Sequence, residues 1–262
     1  MLCFCWLAVL QAQEPPKLQW TLEKPQAQYI IADKLNFLYV ISDNSIEKYN
    51  EQGALIGIYR ENNLGAIHSV DISNPFQLLV FFDEYSKAVL LDRTLSESYR
   101  FSLQDISGGA FVQAVGLSSD NQLWWYNTEV FELQKIDRNG KILRQSLDLS
   151  LLLLNLEFQP RRIVEHENLV FLHDPITGIA IFDVLGNFVR FVELPNQKRL
   201  HFFQHYIVFL RQKELKTYHI GRRETQIEKI PSFSPDEYDD IIIGQQRVWT
   251  QKKGKICLFK LF

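Results

Sequence analysis

Six histidines stand at positions 68, 166, 173, 201, 205 and 219. His201 and His205 have the i, i+4 spacing that puts two metal ligands on one face of a helix. The run "RLHFFQHYIVFL" around them reads instead as strands with a turn. Strand positions four apart share a face but lie roughly 13 Å apart, too far to hold one ion. Carboxylates form the second set. Calcium-dependent hydrolysis needs Asp, Glu and Asn side chains converging from separate elements. Asp33, Asp71, Glu165, Asp239 and Asp240 all fall near strand-like segments, whereas "DISNPF" and "SDNSIEKYNEQG" lack the spacing of an EF-hand loop. No Gly-x-Ser-x-Gly occurs, and Ser118 and Ser119 read as a hairpin turn before "DNQ". "SGGAF" lacks the Gly-Lys-Ser/Thr that phosphate binding requires. Cys257 sits in the apolar run "KICLFKLF", without the partners that activate a thiol, and reads as a buried, inert thiol. No catalytic residue, metal site or cofactor is expected.

Bulk properties narrow the remaining classes. The 262 residues are 46% hydrophobic and 23% charged, with 19 Phe and 10 Tyr, a globular and strand-favouring composition. Net charge is −3 and the basic pairs Arg161–Arg162, Lys198–Arg199 and Arg222–Arg223 are scattered. That leaves no electrostatic footprint for nucleic acid. The opening "MLCFCWLAVLQAQEPP" holds an apolar run, Leu2 to Leu10, too short to span a bilayer. It reads as a secretory leader over residues 1–12, with the mature chain, residues 13–262, starting at Gln13 as a single domain. No Lys or Arg precedes the run, so the leader reads as truncated at its start. Export is expected, to the periplasm or beyond it, with outer-membrane association open. Cys3 and Cys5 then fall in the leader, outside any lipobox. No later apolar run reaches transmembrane length.

The elements that would position any site emerge from internal repetition. "LVFFDEYSKAVLLD" (79–92), "WWYNTEVFELQKID" (124–137) and "VFLHDPITGIAIFD" (170–183) align without gaps. "YNEQGALIGIY", "IDRNGKILRQS" and "FDVLGNFVRFV" share an apolar residue, Asp or Asn, two variable residues and Gly. Asp or Asn starts such a turn by accepting backbone N–H groups, and Gly supplies positive φ. Weaker copies close on Tyr218 and Phe259. The closing residues Tyr49, Leu91, Ile136, Phe182, Tyr218 and Phe259 recur at about forty residues, the period of a four-stranded propeller blade. The expectation is an all-β, six-bladed β-propeller with four-stranded antiparallel blades. Its last blade would be completed by the N-terminal strand "KLQWTLE" at 17–23. Trp124 and Trp125 point to opposite faces of one strand, and each fits a core against a neighbouring blade.

The Asp/Asn-x-x-Gly hairpins after "LYVISDNSIEKYN" and "LVFLHDPITGIAIFD" resemble the NHL, YVTN and TolB-like propellers, and more narrowly exported propeller proteins of Bacteroidota. The motifs are structural, and strict NHL, WD40 and Kelch signatures are absent. The resemblance implies a menu of partner-binding scaffolds, sugar- or peptide-binding proteins and a minority of enzymes such as calcium-dependent lactonases. Loops entering innermost strands rim one end of a propeller's channel, so Arg161, Arg162, Asp239 and Asp240 are nominated as a binding rim. The favoured function is a non-enzymatic scaffold for a protein or peptide of the cell envelope, monomeric on its own. It predicts an exposed apolar or aromatic patch on one face. The alternative is a metal-dependent hydrolase or lyase acting in the channel.

Overall fold

The computed structural model describes residues 16–261, except 110, 155, 213, 229–233, 235 and 236. The expected leader, 1–12, lies outside the described residues, as does part of the acidic loop 232–240. Among the described residues, twenty-four strands form six four-stranded antiparallel sheets. The fold is a six-bladed propeller.

The first blade holds β2 (Tyr29–Ala32), β3 (Leu38–Ile41), β4 (Ser45–Tyr49) and β5 (Leu55–Arg60), after β1 (Lys17–Glu23). The second holds β6 (Ser69–Asn74), β7 (Gln77–Phe82), β8 (Lys87–Asp92) and β9 (Glu97–Ser102), followed by the helical turn α1 (Leu103–Ile106). The third holds β10 (Val112–Leu117), β11 (Leu123–Asn127), β12 (Glu132–Ile136) and β13 (Ile142–Gln145), followed by α2 (Leu149–Leu152). The fourth holds β14 (Arg162–His166), β15 (Leu169–Asp174), β16 (Gly178–Asp183) and β17 (Phe188–Glu193). The fifth holds β18 (His201–Phe203), β19 (Tyr206–Arg211), β20 (Glu214–His219) and β21 (Glu224–Glu228). The last holds β22 (Asp240–Gly244), β23 (Arg247–Lys252) and β24 (Lys255–Lys260), and β1 pairs antiparallel with β24 as its fourth strand. "KLQWTLE" therefore closes the last blade as expected.

The chain divides into two compact units. One comprises residues up to Ser42, Glu47–Ile56 and Arg199–Phe262; the other comprises Asp43–Ile46 and Gly57–Lys198. The second unit contains blades two to four whole, and its core shows why the repeat is apolar on both strand faces. Trp125 packs with Leu79, Phe81 and Leu90 of the second blade. Trp124, its neighbour, packs with Ile163, Val170 and Phe182 of the fourth. Both indoles are buried. A sheet sandwiched between two others has no solvent face, so strict polar alternation is lost.

The hairpins work as read. Asp137 Oδ1 accepts from Asn139 N at 2.8 Å and Lys141 N at 3.0 Å. Asp183 Oδ1 accepts from Leu185 N and Asn187 N, both at 2.9 Å. Gly140 and Gly186 take φ of 82° and 91°. The second blade departs from this pattern: Leu95 occupies the glycine position at φ 66°, with its side chain buried. In the fifth blade His219 replaces the carboxylate, and its Nδ1 accepts from Gly221 N at 3.1 Å and Arg222 N at 3.2 Å.

One alignment needs correction. The β15–β16 loop, 175–177, is one residue shorter than the β7–β8 and β11–β12 loops at 83–86 and 128–131. Ile136 pairs with Leu123 and Leu91 with Leu78, but Phe182 pairs with Val170. Trp124 therefore corresponds to Phe171, not to Val170. The gapless match hid the slip because Phe171 and Leu172 are as buried as Val170.

Candidate functional site

The carboxylates at the first strands are tied into the fold one by one. In the second unit, Asp71 on β6 accepts from Ser73 N at 2.8 Å and from Leu117 N of the next blade, also at 2.8 Å. Glu165 on β14 reaches back to the third blade. Its Oε2 accepts from Ser118 Oγ at 2.8 Å and Trp124 Nε1 at 2.6 Å, and its Oε1 from Ser119 N at 3.0 Å. In the first unit, Asp33 accepts from Leu35 N, Phe37 N and the Tyr39 hydroxyl. These acceptors hold turns and neighbouring blades together. Among the described residues no group of three or more His, Cys, Asp and Glu is arranged to hold a metal ion.

Arg161 and Arg162 enter the first strand of the fourth blade as expected. Arg161 is exposed; its N–H donates to His173 O at 2.8 Å, and its carbonyl accepts from His68 Nε2 at 3.2 Å. The other ring nitrogen of His68 lies 2.8 Å from Asp83. Arg162, half-buried, pairs in register with His173. Burial, and then the Arg162 charge, push the His173 imidazole down to about 3. It is a neutral ring inside the second unit.

Asp239 and Asp240 belong to the first unit and differ in kind. Asp239 is exposed, and its Oδ2 accepts from Lys253 N at 2.7 Å. Asp240 is buried at the start of β22, with Oδ1 2.9 Å from His201 Nε2 and Oδ2 3.7 Å from Arg199 Nη1. Arg199 is held in turn by Gln28 O at 2.9 Å and lies over the Tyr29 ring. His201 opens β18, and His205 sits in the turn after that strand, stacked on His219. The strand-and-turn reading of that run is correct.

Two of these carboxyls are expected to set an acid limit on stability. Burial raises the Glu165 carboxyl, but donors from Ser119, Trp124 and Ser118 outweigh it and hold the group below the usual range. Burial likewise raises Asp240, and the charge and hydrogen bond of His201, with Arg199, bring it below the usual range. A depressed folded pKa gives stability that is complete above the unfolded value, near 4, and is lost as pH falls through the folded value. Asp33 and Asp71 act with the opposite sign, because burial leaves both carboxyls raised. Glu165→Gln and Asp240→Asn are each expected to lower the urea midpoint at neutral pH and to flatten its decline below about pH 4. A variant whose midpoint falls as steeply in acid as the parent's would show that its carboxyl does not set that limit.

Sequence reasoning expected an exposed apolar patch but did not locate the surface that the structure makes most conspicuous. The connector between β13 and β14, residues 146–161, is much longer than the connector at 194–200. Asp148 caps α2 by accepting from Ser150 N at 2.8 Å. Leu149 and Leu153 turn inward, while Leu147, Leu151 and Leu154 stand 73, 69 and 70% exposed. Leu149 N donates to Phe131 O at 2.8 Å, and Thr128 Oγ1 donates to Phe111 O at 2.9 Å. Exposed Phe111, Val130 and Phe131 thereby join the leucines at one end of the second unit. The signal was "SLLLLNLEF" itself: four consecutive leucines exceed what one helical turn can bury.

No family model matches the chain, and no curated protein does. Solved structures do. A catalytically inactive virginiamycin B lyase from Staphylococcus aureus with quinupristin superposes with a TM-score of 0.62 at 14% identity, covering 95% of this chain and all of that one. BamB from Moraxella catarrhalis superposes at 0.52 and 11% identity, over 94% of this chain and all of that one. The Neurospora crassa Pan2 WD40 domain gives 0.52 at 10% identity, over 89% of this chain and 74% of that one. They share the fold. It is one that serves a lyase and a WD40 domain alike, so activity must be argued from this chain's own residues.

Proposed function

We propose that this propeller binds a protein or peptide partner through the apolar end of its second unit. The observation that carries this is the exposure of Leu147, Leu151 and Leu154 beside Phe111, Val130 and Phe131. A contiguous exposed apolar surface costs solubility unless something covers it. The expected export to the cell envelope rests on the apolar run Leu2–Leu10. No helix among the described residues is long and apolar enough to cross a membrane. Arg161 and Arg162 belong to the same unit and remain in the proposal as polar contacts of the binding rim; Asp239 and Asp240 are proposed as a rim of the first unit.

A photo-crosslinking residue in place of Leu151, in the producing cell, is expected to trap one discrete partner that mass spectrometry identifies. The same residue in place of Lys255, on β24, is expected to trap nothing. Absence of an adduct at Leu151, or an adduct only with a second copy of this chain, would overturn the proposal.

The second reading is enzymatic, a metal-dependent hydrolase or lyase. It is favoured by the full-length likeness to a lyase of known ligand and by the buried His201–Asp240 pair of the first unit. Turnover of quinupristin by this chain, abolished in His201→Ala, would favour it over the scaffold. Unchanged quinupristin would remove that substrate.

A further inference from the structure

We infer that the apolar end of the second unit selects a partner segment whose apolar anchors are flanked by Lys and Arg. This rests on the partner-binding role proposed above and specifies its chemistry. The three segments that carry the exposed apolar side chains are 103–111, 128–131 and 146–161. They contain the four acidic residues Asp105, Glu129, Asp148 and Glu157 against one basic residue, Arg161 at the far end of the last segment. Asp105, Glu129 and Glu157 are exposed.

Turn and cap chemistry accounts for four acidic residues of these blades, and Asp83, Glu97 and Asp120 are in ion pairs. Asp92, Asp137 and Asp183 each spend an oxygen on backbone N–H groups of their hairpins. Asp148 caps α2. The side chains of Asp105, Glu129 and Glu157 form no ion pair among the described residues. An anionic fringe around an apolar surface steers cationic partners toward it and penalises acidic ones. It also bears on the other occupants. A second copy of this chain would bring the same carboxylates face to face, and an anionic lipid surface would meet them as like charge. A basic, apolar polypeptide segment meets both features at once.

The test uses the intact chain and two synthetic peptides with identical Leu and Phe anchors, one flanked by Lys and one by Glu. Binding is read by fluorescence anisotropy at about 50 and about 300 mM NaCl, on either side of the point where screening reaches contact distance. The Lys peptide is expected to bind at least about ten-fold more tightly at low salt, with the advantage shrinking several-fold at high salt. The double variant Glu129→Lys/Glu157→Lys should lose or reverse the preference. Leu151→Gln/Leu154→Gln should abolish binding of both peptides.

Equal affinity for the two peptides, a preference for the Glu peptide, or binding of neither would overturn the inference. So would a Lys preference that survives the leucine changes, since it would mark general adhesion to a chain of net charge −3. A partner trapped at Leu151 together with equal peptide affinities would sink the charge selection and leave the partner-binding role standing. Failure at Leu151 together with failure of both peptides would remove both.

Discussion

Trp124→Ala is expected to destabilise the protein by about 3–5 kcal/mol, the range for deleting a large aromatic from a packed core. Two losses combine. The indole is fully buried between the third and fourth blades, where Ile163, Val170 and Phe182 cannot collapse onto alanine. Its Nε1 also donates to Glu165 Oε2 at 2.6 Å, so truncation strips that buried carboxylate of one of its donors. Trp124→Phe separates the terms. It keeps most of the volume and removes the donor, so it should cost about 1–3 kcal/mol, the penalty for an acceptor left unmet. In Trp124→Phe/Glu165→Gln the donor's removal should cost much less than it does alone, because no ion remains to be satisfied. Urea denaturation followed by far-ultraviolet circular dichroism reads all three variants. Near-zero loss in Trp124→Ala would mean that the indole is not a core residue, and the column of apolar residues behind the repeat would lose its meaning.

The repeat was legible because its physics is local. A carboxylate or amide three residues before a positive-φ residue makes the same turn wherever it occurs, so Asn50, Asp137 and Asp183 announced themselves. Where chemistry was substituted, the signal faded. Leu95 holds a left-handed conformation that the sequence assigns to glycine, and His219 accepts the hydrogen bonds assigned to aspartate. The carboxylates were harder to read. Asp71 and Glu165 are spaced like ligands because each blade repeats its first strand. Their partners are 46 and 47 residues away, on Leu117 and Ser118, a relation no local pattern displays. A buried acceptor that staples two blades and a metal ligand have the same sequence signature. Only the donor at the far end tells them apart. The exposed leucines present the converse problem, since composition shows an apolar run but not which of its members turn outward.

Removing residues 17–23 is expected to be the most damaging single change outside the core. β1 contributes six register pairs, from Lys17↔Lys260 to Glu23↔Lys255. Its Trp20 and Leu22 pack against the cluster of Ile256, Leu258 and Trp249. Trp20 Nε1 donates to Glu51 O at 2.9 Å, and the ring lies against Gly53, where an added Cβ would meet it at 3.0 Å. Without β1 the backbone groups of β24 become an unpaired edge beside partly uncovered apolar side chains, the condition that favours edge-to-edge association. The truncated chain should therefore unfold at lower urea concentration and elute in part as aggregate on size-exclusion chromatography. Adding the peptide KLQWTLE in trans should restore the monomer and raise the urea midpoint with a concentration dependence set by its affinity. A peptide with its Trp20-equivalent changed to alanine should restore less, because the six-pair ladder alone leaves Gly53 and the apolar cluster uncovered. If the truncated chain instead matches the parent in both midpoint and elution, the β1–β24 pairing contributes nothing to closing the last blade. Its place in the sheet would then be geometric rather than energetic.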